Sequence, residues 1–354
     1  MFKTKSGART QKFMLEDLVE RKKYFQQKAG REIEKIRGYL DKGNTFIGIL
    51  LGPKNSGKGT YTKLFMEAVG DKHIAHISVG DIVRSVHKDL GSAKGKRELT
   101  AFLKSRYRGF ISIEKALAII LGRDTKTLLP TEVILALVER EISRIGRKAV
   151  FIDGFPRNLD QISYSLYFRA LMGYRDDPDF FVFISVPETV IDERMRYRAV
   201  CPICQSPRNL KLLRTKEIGY DQKTKKFFLV CDNPQCKGFG KSRMGSKEGD
   251  ELGIEAIRDR IEVDTEVSRM LMGLRGVPKV YLRNAVPVAE AKKYVDEYEI
   301  TPSYRYQWDT SAKNVRVIEE PWIVGDDNHV PSYSLLPAAV LVSLIKQTAK
   351  ALGL

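Results

Sequence analysis

Gly52-Pro53-Lys54-Asn55-Ser56-Gly57-Lys58-Gly59-Thr60 (GPKNSGKGT, residues 52–60) is the stretch that decides the fold. Before it runs FIGILL (46–51), a continuously apolar segment of the kind buried on both faces of a sheet. After it comes YTKLFMEAVG (61–70), with apolar residues at helical spacing. A G-x-x-x-x-G-K motif needs this strand–loop–helix setting to cradle phosphate. Gly52 and Gly57 let the backbone wrap a phosphate closely, and the first N–H groups of the helix supply fixed partial positive charge. Lys58 adds a mobile full charge.

Working outward, AVFID (149–153) and DFFVFISV (179–186) read as two further buried strands. The helix-like LPTEVILALVEREISRI (129–145) precedes the first, and a helix starting at Pro187 follows the second. This alternation predicts an α/β fold: a P-loop parallel sheet flanked by helices. Residues 11–42 predict one or two helices with a solvated basic face, a docking element or a nucleic-acid arm. The tail from Ile300 carries both tryptophans, Trp308 and Trp322, and ends in an apolar helix expected to pack on the core or on a second subunit.

The 354 residues include 43% apolar and 30% charged side chains, the balance of a soluble globular protein of about two folded units. That excludes a disordered chain, a collagen and a disulfide-stapled mini-protein. The net charge of +17 favours a polyanionic partner, whether nucleic acid, nucleotide phosphates or an anionic membrane surface. No secretory h-region follows Met1, and the apolar run Leu335–Ile345 is broken by Pro337 and Ser343 and is too short to span a bilayer. The expectation is a cytoplasmic protein with no membrane span.

Four segments in order resemble the adenylate kinase family of nucleoside monophosphate kinases: GPKNSGKGT, ISVGDIVRS (77–85), FIDGFPRNLDQ (151–161) and ERMRYRAV (193–200). LLPTEVILALVERE (128–141) and IEAIRDRIEVDTE (254–266) also fit the family pattern. The resemblance covers residues 46–298 and implies a kinase core. Within it would lie an inserted helical acceptor-binding domain, enlarged here over 82–149, and an inserted small β zinc lid over 197–257. Residues 1–45 and 299–354 are then N- and C-terminal extensions.

Carried over by position, the resemblance implies that Gly52, Asn55, Ser56, Gly57, Lys58, Gly59, Thr60, Arg194 and Arg198 bind ATP. Arg194 would stack on the donor base from the lid hinge. Arg84 and Arg157 would hold the acceptor's α-phosphate, and Val79, Leu129, Gly154 and Gln161 would line its site. Asp153 would orient Mg²⁺ through water, and Arg260 would close over the transferring phosphoryl group. Lys58, Arg157, Arg198, Arg260 and Asp153 make up the expected catalytic set.

Three departures stand out. Val79 replaces the Thr usual in adenylate kinases, or the small Ala of UMP/CMP kinases, and leaves the acceptor open. GSKEGDELGIEAIRDR has no match for the family's first lid arginine, for which Lys247 or Arg243 could substitute. The region between Arg84 and Leu128 adds an extra helical element.

Cys201-Pro-Ile-Cys204 and Cys231-Asp-Asn-Pro-Gln-Cys236, with 26 residues between the pairs, suit a closed tetrahedral Zn²⁺ site of structural kind. A redox disulfide pair is the alternative, with catalytic zinc a distant third. The intervening KLLRTKEIGYDQKTKKFFLV reads as a hairpin. The implied reaction is reversible γ-phosphoryl transfer from Mg-ATP to a nucleoside monophosphate, AMP first, with CMP, UMP or another acceptor as alternatives. The rival from another class is an RNA- or ribosome-associated ATP-binding protein that contacts RNA through basic surface. Oligomeric state is not readable.

Overall fold

The computed structural model describes residues 3–6, 11–121, 130–157, 161, 178–246 and 249–354. The first half of the chain runs α1 (Leu18–Asp41), β1 (Ile47–Leu51), α2 (Lys58–Val69), β2 (Ile74–Ser78), α3 (Val79–Leu90), α4 (Ala93–Arg106), α5 (Ile113–Leu121), α6 (Thr131–Ile145) and β3 (Ala149–Asp153). Then follow β4 (Asp179–Ser185), α7 (Glu188–Arg196), β5 (Arg198–Val200), β6 (Pro207–Asn209), β7 (Ile218–Asp221) and β8 (Lys226–Leu229). A 3-10 turn (Asp250–Ile257) leads into α8 (Arg258–Gly273), β9 (Lys279–Arg283), β10 (Val286–Pro287) and α9 (Val288–Tyr294). The chain closes with β11 (Pro302–Asp309), β12 (Asn314–Pro321), β13 (Ile323–Gly325), β14 (Pro331–Tyr333) and α10 (Pro337–Ala351).

Five strands form one parallel sheet in the order β2-β3-β1-β4-β9. The phosphate-loop strand β1 is therefore central, with Leu50 beside Asp153 and Leu51 beside Phe183. Both faces are covered, so the apolar runs are continuous and not alternating. One face carries α1, α2 and α10 over an aromatic block in which Phe65 and Phe151 meet edge to face at 5.1 Å and Phe46 and Phe151 at 5.3 Å. The other face carries α3 to α6, whose Val83, Leu99, Leu117 and Ile134 join Ile77, Val150 and Ile152 in a second buried cluster.

The predicted helix over 11–42 begins later, at Leu18, because Asp17 accepts hydrogen bonds from the Val19 and Glu20 N–H groups and caps it. Phe13 and Leu15 are buried ahead of that cap, and the helix breaks at Ala29 (φ −147°). The apolar tail helix is α10; it starts at Pro337, suited to a first turn, and lies buried between α1, α2 and β9. Ahead of it, the β11–β12 hairpin reaches across to the cysteine-bearing segment. There Trp308 stacks on Tyr220 (centroids 4.8 Å) and the Tyr306 hydroxyl donates to the Leu210 carbonyl at 2.5 Å. Among the described residues no helix is long and apolar enough to cross a membrane.

Candidate active site at the phosphate loop

Every strand of a parallel sheet ends on the same side, so the loops after β1, β2, β3, β4 and β9 converge there. The phosphate loop leaves β1 at Gly52 (φ +147°), where a Cβ would come within 2.7 Å of the Ile184 carbonyl oxygen. It enters α2 at Gly57 (φ +102°), where a Cβ would meet the Tyr61 ring at 3.0 Å. Glycine is needed at both ends. Asn55 also adopts the left-handed region (φ +66°), which Asn tolerates. Among the described residues no side chain caps the start of α2, so its first N–H groups remain for an anion. Ser56 Oγ and Asn55 Nδ2 are buried with no hydrogen-bond partner among the described residues.

Lys58 Nζ donates to the Gly52 and Pro53 carbonyls at 2.7 and 3.0 Å and lies 3.7 Å from Asp153 Oδ1. Burial pulls the Lys58 ammonium below its ordinary value, and Asp153 and Asp264 oppose that shift. Arg194 on α7 donates from Nη1 to the Asn55 carbonyl at 3.1 Å. Arg198 at the start of β5 reaches Asn55 Oδ1 at 3.4 Å, while its Nε donates to Asp250 Oδ2 at 2.7 Å and Nη2 engages Oδ1 of the same carboxylate. Both arginines thus stand over the loop.

A small cavity beside the loop brings Lys58, Gly154, Arg157 and Arg260 together with Asp264 against Gly52. Arg260 and Asp264, one turn apart on α8, pair at 3.9 Å. Burial pushes the Asp264 carboxyl up; Arg260, Lys58 and Arg157 pull it back.

The remaining expected residues do not line that cavity. Val79 opens α3 and is buried at 4% exposure within the second apolar cluster. Arg84 is 73% exposed and pairs with Asp81, away from the cavity. Arg258, two positions before Arg260, pairs with Glu188 and Glu255 and is not in the cavity lining either. Gln161 is buried and accepts the Arg157 backbone N–H through Oε1 at 2.7 Å. Thr60 is exposed on the first turn of α2, and Gly59 is beside it. Leu129 and Lys247 lie outside the described residues. Arg243 shares a groove with Arg198, but its guanidinium pairs with Asp221 at 3.1 Å and covers the Phe228 ring at 4.2 Å.

Asp264 and Asp250 were missed as site residues. Asp264 sits inside the quoted IEAIRDRIEVDTE, four positions after Arg260, a spacing that places both on one helix face.

The four cysteine sulfurs all lie within 4.8 Å of one another, with Cys204 and Cys231 at 3.7 Å and Cys201 and Cys236 at 3.9 Å. Tetrahedral zinc with Zn–S of about 2.3 Å requires S···S of roughly 3.8 Å. The donor set fits a closed site. The four are free thiols, not disulfides. Hydrogen bonds from Ser206 bring the Cys204 thiol down to about 6, whereas burial takes Cys231 up to about 12.

A glycine-rich phosphate loop on the central strand of a parallel sheet, overhung by arginines, defines a P-loop nucleotide-binding protein. A family model described as an AAA domain matches residues 51–200. The chain is 33% identical over 172 residues to an adenylate kinase of Clostridium acetobutylicum, covering 48% of this chain and 67% of the relative. It is 28% identical over 235 residues to an adenylate kinase of Thermotoga neapolitana, covering 65% of this chain and 87% of the relative. The chain belongs to the adenylate kinase family, and at family level it is a phosphotransferase of the nucleoside monophosphate kinase class.

Proposed function

We propose that the protein catalyses reversible γ-phosphoryl transfer from Mg-ATP to a nucleoside monophosphate, with AMP as the first acceptor. The observation that carries this reading is the convergence of Lys58, Arg157 and Arg260 on one cavity beside the phosphate loop. Bringing two nucleotides together concentrates negative charge, so the protein's task is to position and neutralise.

In this reading the loop from Gly52 to Thr60 holds the donor phosphates, and Asn55 Nδ2 and Ser56 Oγ, without partners among the described residues, gain acceptors there. Lys58 leaves the Gly52 and Pro53 carbonyls to follow the phosphoryl group, and Arg198 exchanges part of its hold on Asp250 for phosphate oxygens. Arg157 and Arg84 take the acceptor phosphate; Arg84 reaches it only after leaving Asp81. Val79, Gly154 and Gln161 are assigned to the acceptor site, as is Leu129, which lies outside the described residues. Asp153, at the strand end 3.7 Å from Lys58, would orient Mg²⁺ through water. When bound, Mg²⁺ supplies charge neutralisation at the β- and γ-phosphates.

Residues 82–149 serve as the acceptor domain and 197–257 as the lid of a core spanning 46–298. Cys201, Cys204, Cys231 and Cys236 hold a structural Zn²⁺ that lets so small and polar a lid fold. Arg243, in the same groove as Arg198, stands in for the absent lid arginine once it leaves Asp221.

Val79 keeps the acceptor base open to a second reading, with CMP or UMP in place of AMP, because a buried isopropyl group offers no hydroxyl to a base. Turnover with AMP, CMP, UMP and GMP in separate assays decides between them. Arg157→Ala is expected to abolish turnover with whichever acceptor is used while leaving the unfolding midpoint unchanged, and near-wild-type rates would remove the reading.

A further inference from the structure

The β11–β12 hairpin is an arm with its root in the core and its outer part on the cysteine-bearing segment. Its two strands pair along their whole length, from Pro302 opposite Pro321 to Asp309 opposite Asn314. At the root the Thr301 N–H donates to the Ser334 carbonyl at 2.8 Å, and Ile300 bridges Leu335. Trp322, just past β12, is buried in the apolar cluster beneath α1 and α10. β14 pairs in turn with β10, which follows β9. The root is thus fixed to the sheet core.

Farther out, Tyr304, Tyr306 and Trp308 alternate along β11, so all three lie on one face. Each meets the cysteine-bearing segment. The Tyr304 N–H donates to the Lys211 carbonyl at 2.7 Å, and the Arg214 guanidinium covers the Tyr304 ring at 5.1 Å. Tyr306 donates to the Leu210 carbonyl and sets its ring 5.6 Å from that of Phe227. Trp308 stacks on Tyr220.

The segment's own chain gives it only one other mooring. It leaves α7 into β5 and returns through the turn Asp250–Ile257, and the Arg198–Asp250 pair draws those two ends together. A body hung on two adjoining chain ends can swing about them as a hinge. The arm adds an attachment on the β7–β8 hairpin, which such a swing would have to break or bend. Its root resists bending, because Pro302 and Pro321 face each other there and each fixes its own φ.

We propose that the β11–β12 arm is a strut that holds the cysteine-bearing segment over the phosphate loop before a nucleotide binds. Arg198 is then already beside Asn55, where its Nη1 reaches Oδ1 at 3.4 Å. Reading the segment as a lid over the donor phosphates rests on the function proposed above. The strut gives the C-terminal extension a task that lies outside the kinase core.

Spin labels on p-acetylphenylalanine, placed at the exposed Lys35 of α1 and Lys223 of the β7–β8 turn, leave the four cysteines untouched. Double electron–electron resonance then reads the distance between core and segment. The nucleotide-free wild type should give one narrow distribution. Tyr306→Ala loosens the outer contact, whereas Pro302→Gly/Pro321→Gly softens the root and leaves every residue that meets the segment in place. Both should widen the distribution toward longer distances. Both should also weaken ATP binding about fivefold by calorimetry, since the segment then stands over the loop for only part of the time. A broad wild-type distribution, or a narrow one in either folded variant, would overturn the proposal. If Tyr306→Ala unfolds the segment, the root variant decides alone. Unchanged ATP affinity beside widened distances would overturn the strut's service to the nucleotide site. If the wild type binds no ATP, the phosphate-loop reading fails, while the distances still test the strut.

Discussion

Arg198 and Asp250 are joined by a two-pronged ion pair that spans the cysteine-bearing segment, tying its first strand to the turn that follows it. Asp250 is 4% exposed and Arg198 16%, and the arginine's free edge reaches Asn55 in the phosphate loop. The pair therefore sets where this segment stands above the nucleotide site. Asp250→Ala leaves a half-buried guanidinium without its counter-charge. We expect a loss of about 3 kcal/mol, the lower end for breaking a buried pair because Arg198 keeps some solvent contact. The urea unfolding midpoint reads the loss, and Asp250→Asn, which retains an acceptor, should lose less.

Asp264 links pH to stability with a definite sign. Burial raises its folded-state pKa above the 3.8 of the unfolded chain, and Arg260, Lys58 and Arg157 only partly offset this. Between 3.8 and the raised value the folded protein holds a proton that the unfolded chain has released. Stability therefore falls as pH rises through that window. Asp264→Asn should gain stability relative to wild type over the same window, seen as Tm measured against pH from weakly acid to neutral. A constant difference between the two proteins would show that Asp264 titrates normally.

The sulfur tetrad should bind one metal ion per chain, and that binding should be part of folding. Chelation, or Cys201→Ser, is expected to release zinc to a colorimetric dye and to expose the β7–β8 hairpin to protease while the sheet core stays intact. A metal-free protein whose hairpin resists protease equally well would contradict a structural role.

Trp308 is a brace contributed by the tail. Its ring stacks on Tyr220 at 17° and 4.8 Å, so Trp308→Ala removes an aromatic pair worth about 1 kcal/mol beyond its area. Hydrogen exchange should quicken in β7 and β8 and stay unchanged in β1 and β4. Uniform exchange throughout would mean that the β11–β12 hairpin does not brace the segment.

What could be read ahead of the structure follows from range along the chain. FIGILL, AVFID and DFFVFISV were legible because a strand covered on both faces writes its burial into consecutive residues. The phosphate loop and the cysteine pairs were legible because their ligands are neighbours in sequence. Asn284 and Tyr61 lie 223 positions apart, and no local spacing announces their contact. The stacking of Trp308 on Tyr220 was hidden for the same reason, and the tail showed only turn residues and aromatics. Asp17 could have been recognised as a cap from its place before Leu18, but the apolar residues Phe13 and Leu15 extended the helical periodicity past it.

The activity proposed for the loop from Gly52 to Thr60 is phosphoryl exchange between two nucleotides. Phosphorus NMR of the purified protein with magnesium is the direct test, started once from equimolar ATP and AMP and once from ADP alone at their summed concentration. Both mixtures should relax to the same ATP, ADP and AMP composition, and neither should move when Lys58→Ala replaces the wild type. ATP that binds yet yields no ADP with AMP or any other monophosphate would rule out the transfer and leave a nucleotide-binding protein without it.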